Sequence, residues 1–424
     1  MAENGQAQAA VPREELPQLV SAIVGETPVF DVHTHLYSPR FGELLLWGVD
    51  ELLTYHYLIA EVLRSDRSVT PEQFYAMPLA ERAEHIWRTM FAQASPLSEA
   101  QRGVLTTLKA LGIEPGPEAL AEAREYFAHV SLEEHVQRVF QLANVSAVVM
   151  TNDPFDSSER KVWLAGGEDE ARFRAALRLD GLIVNFAQNL DTLRAWGYDV
   201  SAALDERTMA EVRRFLEEWI ERIAPMYLAV SLPDTFAYPS DEPTARLIAG
   251  CVLPVSRERG VPFAMMIGVK RGVNPALKLA GDGVGKFDIC ALERLCAENP
   301  ENRFLVTLLS RENQHELCVA ARKFPNLMPF GCWWFLNNPS IIEEITRERL
   351  ELLGLSFIPQ HSDARVLDQL IYKWAHSREI IARVLADKYS DLARSGWPVT
   401  EEAIRRDVAR LFSGNFLSFV GEQD

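Results

Sequence analysis

Cysteine is scarce in this chain. Its 424 residues hold five, Cys251, Cys290, Cys296, Cys318 and Cys332, an odd number with no C-x-x-C pair. That argues against a disulfide framework or a thiolate zinc site and suits a reducing cytoplasm. Long apolar runs are also missing: no stretch of eighteen reads as a membrane span. Met1 to Val20 carries Glu3, Glu14 and Glu15 and no apolar h-region, so it does not read as a secretory signal. Positive charge is in deficit, with 43 Lys and Arg against 60 Asp and Glu, a net charge of −17. This balance opposes non-specific binding to nucleic acid or to an anionic membrane. It leaves room for an anionic small molecule, because a local arginine pocket can invert the field. No glycine-rich phosphate loop follows the first apolar run, which removes the dinucleotide-binding fingerprint.

What is present is the composition of a soluble globular protein, 48% hydrophobic and 24% charged, long enough for one large domain or two. Eight short apolar runs recur along it. They are Val29 to Val32, Ala147 to Met150, Phe173 to Leu179, Tyr227 to Leu232, Phe263 to Ile267, Phe304 to Leu309, Leu327 to Trp334 and Leu355 to Ile358. Helical periodicity separates most of them, as in Glu211 to Ile223, Asp288 to Glu298, Gln314 to Lys323 and Ile341 to Leu353. Short strands, apolar on both faces and alternating with helices, predict a parallel sheet covered by helices. Eight such units are the number that closes a (β/α)₈ TIM barrel. An open doubly wound sheet is the alternative. Residues 37–145 interrupt the beat after strand one with helical periodicity alone. Val49 to Leu63 shows that periodicity, and helix starts are expected at Thr70-Pro71-Glu72 and Ser131-Leu132-Glu133-Glu134. We read 37–145 as a helical insertion within a single domain spanning 1–424.

In a barrel, functional residues lie at the C-terminal ends of strands. The first strand runs into His33-Thr34-His35, and residues i and i+2 of an extended chain share a face. An H-x-H pair is as often a strand cap as half of a metal site, so the rest of the chain must decide. Polar residues after the other runs are Asn152 and Asp153, Arg178 and Asp180, Ser310 and Arg311, Trp333 and Trp334, and His361, Asp363 and Arg365. His85, His129, His135 and His376 fall inside helical periodicity and are read as structural or solvent-facing. Barrel closure would bring Asp363 beside His33 and His35. Two imidazoles and a carboxylate suit one divalent ion such as Zn²⁺, with coordination positions left for substrate.

H-x-H on strand one with an aspartate on strand eight resembles the amidohydrolase superfamily. Hydrolytic members add histidines after strands five and six and often a lysine or carboxylate after strand four. Here those ends read Met265-Met266-Ile267-Gly268, Leu308-Leu309-Ser310 and Ser231-Leu232-Pro233, so a second metal is not expected. The likeness narrows to the uronate isomerases, carried by several segments in order along the chain. They are Asp31-Val32-His33-Thr34-His35-Leu36-Tyr37-Ser38-Pro39, Thr54-Tyr55-His56-Tyr57, Thr151-Asn152-Asp153-Pro154-Phe155-Asp156, Phe330-Gly331-Cys332-Trp333-Trp334-Phe335 and His361-Ser362-Asp363-Ala364-Arg365. It is nearest to the shorter bacterial form, in which Met266 stands where other members have a histidine.

The resemblance implies reversible aldose–ketose isomerisation of D-glucuronate to D-fructuronate and of D-galacturonate to D-tagaturonate, through a cis-enediol. It implies a metal on His33, His35 and Asp363 that holds the carboxylate and C5 hydroxyl of a hexuronic acid. Asp363 would hydrogen-bond that hydroxyl and, with it, start proton removal at C2. Tyr57 would sit at the C1 carbonyl and Arg365 at the C2 and C3 hydroxyls, with His56 lining the same site; Arg178 and Trp334 would contact substrate. By pattern alone, Tyr57 and His56 are as readily core residues of a helix, Arg365 a salt-bridge partner of Asp363, and Asp153 and Asp156 helix caps. His361 reads as a support for Asp363. The rival functions are a mononuclear metal-dependent hydrolase of the same superfamily and a sugar-acid binding protein without catalysis. Neither nucleic acid nor membrane is an expected partner, and a homo-oligomer is compatible with this reading.

Overall fold

A run that is apolar at consecutive positions is stable as a strand only when both faces are covered, and these segments fold in that way. The protein, described here from a computed structural model covering residues 9–166 and 171–422, is a mixed α/β structure built on a curled, mostly parallel sheet. Its strands are β1 (Val29–Thr34), β2 (Val145–Asn152), β3 (Phe173–Arg178), β4 (Leu228–Pro233), β5 (Phe263–Lys270), β6 (Gly283–Val284), β7 (Phe304–Leu308) and β8 (Leu327–Pro329). Every residue of β1 and β7 is buried, and all of β5 except Lys270. The order is β1-β2-β3-β4-β5-β7-β8, all parallel, with β6 antiparallel against β5. Past β8 the chain returns beside the sheet, where Phe330 bridges Ile358. It then meets β1: Asp363 N–H donates to the His33 carbonyl at 3.2 Å, and His35 N–H to the Ala364 carbonyl at 2.7 Å. The curl thus brings the first and last segments of the sheet together.

Two expectations give way, and one is refined. The periodicity over Val49 to Leu63 is carried by two helices, Val49–Leu53 and His56–Ser65. Thr54 turns its hydroxyl back to the Asp50 carbonyl at 2.8 Å, and Tyr55 is extended (φ −69°, ψ 148°). Helical periodicity continues across such a break because apolar spacing does not register one extended residue. The seventh run is a strand only to Pro329, since proline lacks an N–H for the ladder. Beyond it, Gly331 and Trp334 adopt positive φ (63° and 48°). The eighth run makes a single bridge rather than a ladder, with Pro359 directly after it. The short hairpin strand β6 has no counterpart among the expected runs.

Between Thr34 and Val145 no strand occurs, and the helices there start where capping chemistry says they should. Thr70 with Gln73 and Ser131 with Glu134 form reciprocal capping boxes. The Asp368 carboxylate ties this helical segment to the chain after β8. One oxygen accepts from His135 Nε2 at 2.7 Å and the other from Gly48 N–H at 2.8 Å, with His135 and Asp368 both fully buried. Removing one partner of such a buried pair costs about 3–5 kcal/mol. His85, His135 and His376 are structural, and His129 faces solvent. His85 lies 3.3 Å from Asp66, His376 bonds Glu99 at 2.6 Å and Thr106 at 2.8 Å, and His129 reaches its own Glu125 carbonyl. Among the described residues no helix is long and apolar enough to cross a membrane. Glu3, which weighed against a secretory signal, lies outside the described residues.

Candidate active site

The site grows from the end of β1. His33 is its penultimate residue, and His35 lies just past it. From the returning segment, Asp363 Oδ1 stands 3.7 Å from His33 Nε2 and 3.4 Å from His35 Nε2. Among the described residues, these three are the one group whose ligand atoms all lie within 4.8 Å of one another. The far side of His33 decides which of its nitrogens carries the proton. Nδ1 lies 3.1 Å from the Tyr227 hydroxyl and 3.4 Å from that of Thr151. Both hydroxyls already donate their protons to backbone carbonyls, Tyr227 to Val32 and Thr151 to Thr34, each at 2.8 Å. They can only accept from His33, so Nδ1 holds the hydrogen and Nε2 offers its lone pair. His33 Nε2 and Asp363 Oδ1 are buried and have no hydrogen-bond partner. Unsatisfied buried lone pairs of this kind fit a cation. Tyr227→Phe removes the better of the two Nδ1 acceptors and is expected to weaken Zn²⁺ affinity about tenfold with the fold intact. Competition titration with a chromophoric chelator checks this, and unchanged affinity would remove Tyr227 from the orienting role.

Asp363 is held by its neighbours along the chain. Ser362 N–H donates to Asp31 Oδ1 at 3.1 Å, and Asp31 Oδ2 accepts from Trp374 Nε1 at 2.8 Å. Burial pushes the Asp31 carboxyl up to about 6, against the pull of those same bonds. Asp363 itself has positive φ (53°), which turns its side chain out of the extended path. Burial would raise its pKa, but His35, His33 and His361 outweigh burial and hold the carboxyl well below the usual range. His33 is driven well below its ordinary value by burial first, then by His361 and His35. Burial lowers both His56 and His361 to about 4, so each is a neutral imidazole.

A cavity of about 230 Å³ opens over this cluster. His33, His35, Asp363, Arg178, Arg365, His56 and Trp334 all line it, so the structure gathers seven of the eight site residues expected from the sequence. The eighth, Tyr57, is half-buried beside His56 and does not line the cavity. Its ring lies 4.3 Å from that of His56, Lys373 Nζ stands 5.5 Å from its centroid, and its hydroxyl has no partner. The neighbouring Tyr55, which sequence reasoning did not single out, lines the cavity instead. Arg365 is not a salt-bridge partner of Asp363. Its Nη1 donates to the Leu44 carbonyl at 2.9 Å and the His35 carbonyl at 3.4 Å. Arg178 pairs with Asp180 at 3.0 Å, whose charge raises the guanidinium pKa, and Asp180 in turn accepts from Ser231 N–H.

Other strand-end candidates serve the scaffold. Asn152 Nδ2 and Asp153 N–H both donate to Glu159, Asp156 caps helix Ser157–Ala165, and Ser310 and Arg311 pair with Glu312 and Glu344. Trp333 lines the cavity beside Trp334, and His361 sits fully buried with its ring 5.2 Å from that of His33. Asp31, Tyr227, Thr151 and Arg271 were missed. Asp31 lies inside β1 and Tyr227 just before β4, where strand-end position gives no signal, whereas Thr151 stands at the end of β2 and Arg271 follows β5.

No family model matches the sequence, and no curated protein does. Solved structures do. A uronate isomerase from Bacillus halodurans is 58% identical over 98% of each chain, with a TM-score of 0.96. A uronate isomerase from Thermotoga maritima, covering 97% of this chain and 98% of that one, and a glucuronate isomerase from Caulobacter crescentus, covering 100% and 98%, each superpose with a TM-score of 0.77 at 15% identity. At that distance they speak for the fold. At 58% identity across almost the entire chain, with the H-x-H end of β1 facing Asp363 as the resemblance requires, the assignment is direct: this chain is a member of the uronate isomerases.

Proposed function

We propose that the chain interconverts D-glucuronate with D-fructuronate and D-galacturonate with D-tagaturonate at the cavity over His33, His35 and Asp363. The observation that carries the site assignment is the convergence of two unpartnered ligand atoms, His33 Nε2 and Asp363 Oδ1, beside His35 in a cavity that Arg178 and Arg365 also line. In this reading the sheet is a (β/α)₈ barrel closed by the segment through Asp363. Residues 37–145 form a helical insertion in a single domain that brings His56, Tyr57 and Tyr55 over the site. The enzyme works in the cytoplasm.

His33, His35 and Asp363 would hold one divalent ion, Zn²⁺ by the nature of its donors. When bound, that ion supplies a Lewis-acid anchor for the substrate's carboxylate and C5 hydroxyl. The chain's own groups then do the proton work. Asp363, an ionised carboxylate in a buried setting, takes the proton from C2 to give the cis-enediolate and returns it to C1 to complete the ketose. Tyr57, whose unpartnered hydroxyl lies behind His56, would serve the C1 oxygen through the His56 imidazole, with Tyr55 facing the sugar. Arg365, fixed by two carbonyls, donates to the C2 and C3 oxygens and stabilises charge on the enediolate. Arg178 fixes the polar wall, and Trp334 packs against the sugar. Neutral His56 can donate or accept without adding charge.

The deciding experiment follows D-glucuronate in deuterated water by NMR with metal supplied. Ketose formation is expected, with solvent deuterium entering at C1 or C2 to the extent that the transferred proton exchanges. Neither ketose nor exchange would sink the isomerisation, and hydrolysis of a lactone or amide in its place would favour a mononuclear hydrolase.

A further inference from the structure

The hairpin from β5 into β6 differs in charge from the rest of the molecule. Residues 270–284 carry Lys270, Arg271 and Lys278 against one acid, Asp282, in a chain of net charge −17. The hairpin also reaches the cavity, whose lining includes Arg271 and Leu279. It is fastened to the helical segment: the Tyr75 hydroxyl donates to the Leu277 carbonyl at 2.6 Å, and Lys278 Nζ lies 4.2 Å from the Tyr75 ring centroid. Asp282 braces it from within. Its Oδ2 accepts from Arg271 Nη1 at 2.5 Å and its Oδ1 from Gly272 N–H at 2.8 Å.

The three guanidinium groups of the cavity wall are committed differently. Arg178 is paired with Asp180 and only 27% exposed, and Arg365 has its Nη1 held by two carbonyls. Arg271 gives one nitrogen to Asp282 and keeps a side chain that is 54% exposed, whereas Asp282 is only 7% exposed. A braced, half-exposed guanidinium on a cationic hairpin is suited to meet a carboxylate arriving from solvent. We infer that Arg271 is a substrate-binding residue that captures the uronate's negative charge at the mouth of the cavity and stays over the bound sugar, positioned by Asp282. This rests on the uronate reading above and adds to it the residue by which an acidic enzyme admits an acidic sugar.

The test is steady-state kinetics of the metal-loaded enzyme on D-glucuronate at low and high ionic strength. Arg271→Met is expected to raise KM about tenfold with kcat within about twofold, the pattern of lost ground-state binding. Its kcat/KM should respond less to salt than that of the parent, because screening removes an attraction the variant no longer has. Arg271→Lys keeps the charge and should recover most of the affinity and the salt response. The inference is overturned if Arg271→Met leaves KM within twofold, if kcat falls in parallel with kcat/KM, or if its loss is the same at both ionic strengths. The same assay on His33→Ala separates the two readings. Full turnover there overturns the metal-centred assignment while the Arg271 result stands on its own.

Discussion

Asp363→Asn is expected to lose about 10³-fold in kcat on D-glucuronate, within the range for removing a positioned general base. Asparagine matches the carboxylate in shape and is one of the few side chains that tolerates the positive φ of this position (53°). The backbone bond from residue 363 to the His33 carbonyl does not depend on the side chain. The loss would therefore report the missing charge rather than a collapsed loop. Assays with metal in excess and a thermal melt alongside check it. A variant that melts like the parent and turns over within tenfold of it would remove Asp363 from the chemistry.

Gly331→Ala should be the most damaging small change outside the catalytic groups. Gly331 has φ 63°, and a Cβ built there would lie 1.8 Å from His361 Cδ2 and 2.5 Å from its Nε2. His361 cannot step aside. It is fully buried, with the rings of His33 and Phe330 centred 5.2 and 5.4 Å away. A left-handed residue costs about 1–2 kcal/mol and overpacking typically 1–3, so a loss of about 2–5 kcal/mol is expected, with metal affinity falling as His33 is displaced. A denaturant midpoint and a Zn²⁺ titration measure the two effects. An unshifted midpoint would mean that the loop after β8 can yield without cost.

How much of this was legible in the sequence follows from which signals survive in one dimension. Apolar runs such as Phe263 to Ile267 and Phe304 to Leu309 are strands because covering both faces leaves a run with no alternative reading. The ends of those runs located His33, His35, Arg178 and Asp363. The run from Leu327 to Trp334 misled because Pro329, Gly331 and the turn at Trp334 keep apolar character while abandoning the ladder. Tyr55 was hidden in the same way: one extended residue between two helices leaves the periodicity unbroken, yet it decides which tyrosine faces the cavity. Tyr227 and Asp31 could not be found from position, since neither lies at the C-terminal end of a strand; they act through a hydroxyl on His33 Nδ1 and a carboxylate on Ser362 N–H.

The pairing of β1 with the segment through Asp363 also governs when the enzyme can become active. The hydrogen bonds from Asp363 N–H to the His33 carbonyl and from His35 N–H to the Ala364 carbonyl join residues near opposite ends of the described chain. Closing a loop of that size carries an entropy cost that no local contact repays in advance, and contacts of large sequence separation form slowly. On a ribosome, the imidazoles are made first and wait for their carboxylate until the long stretch from His35 to Asp363 has emerged. Refolding from denaturant should then regain helical signal well before it regains Zn²⁺ binding. A folding intermediate that still lacks the closing segment has two histidines and nothing to complete the cluster.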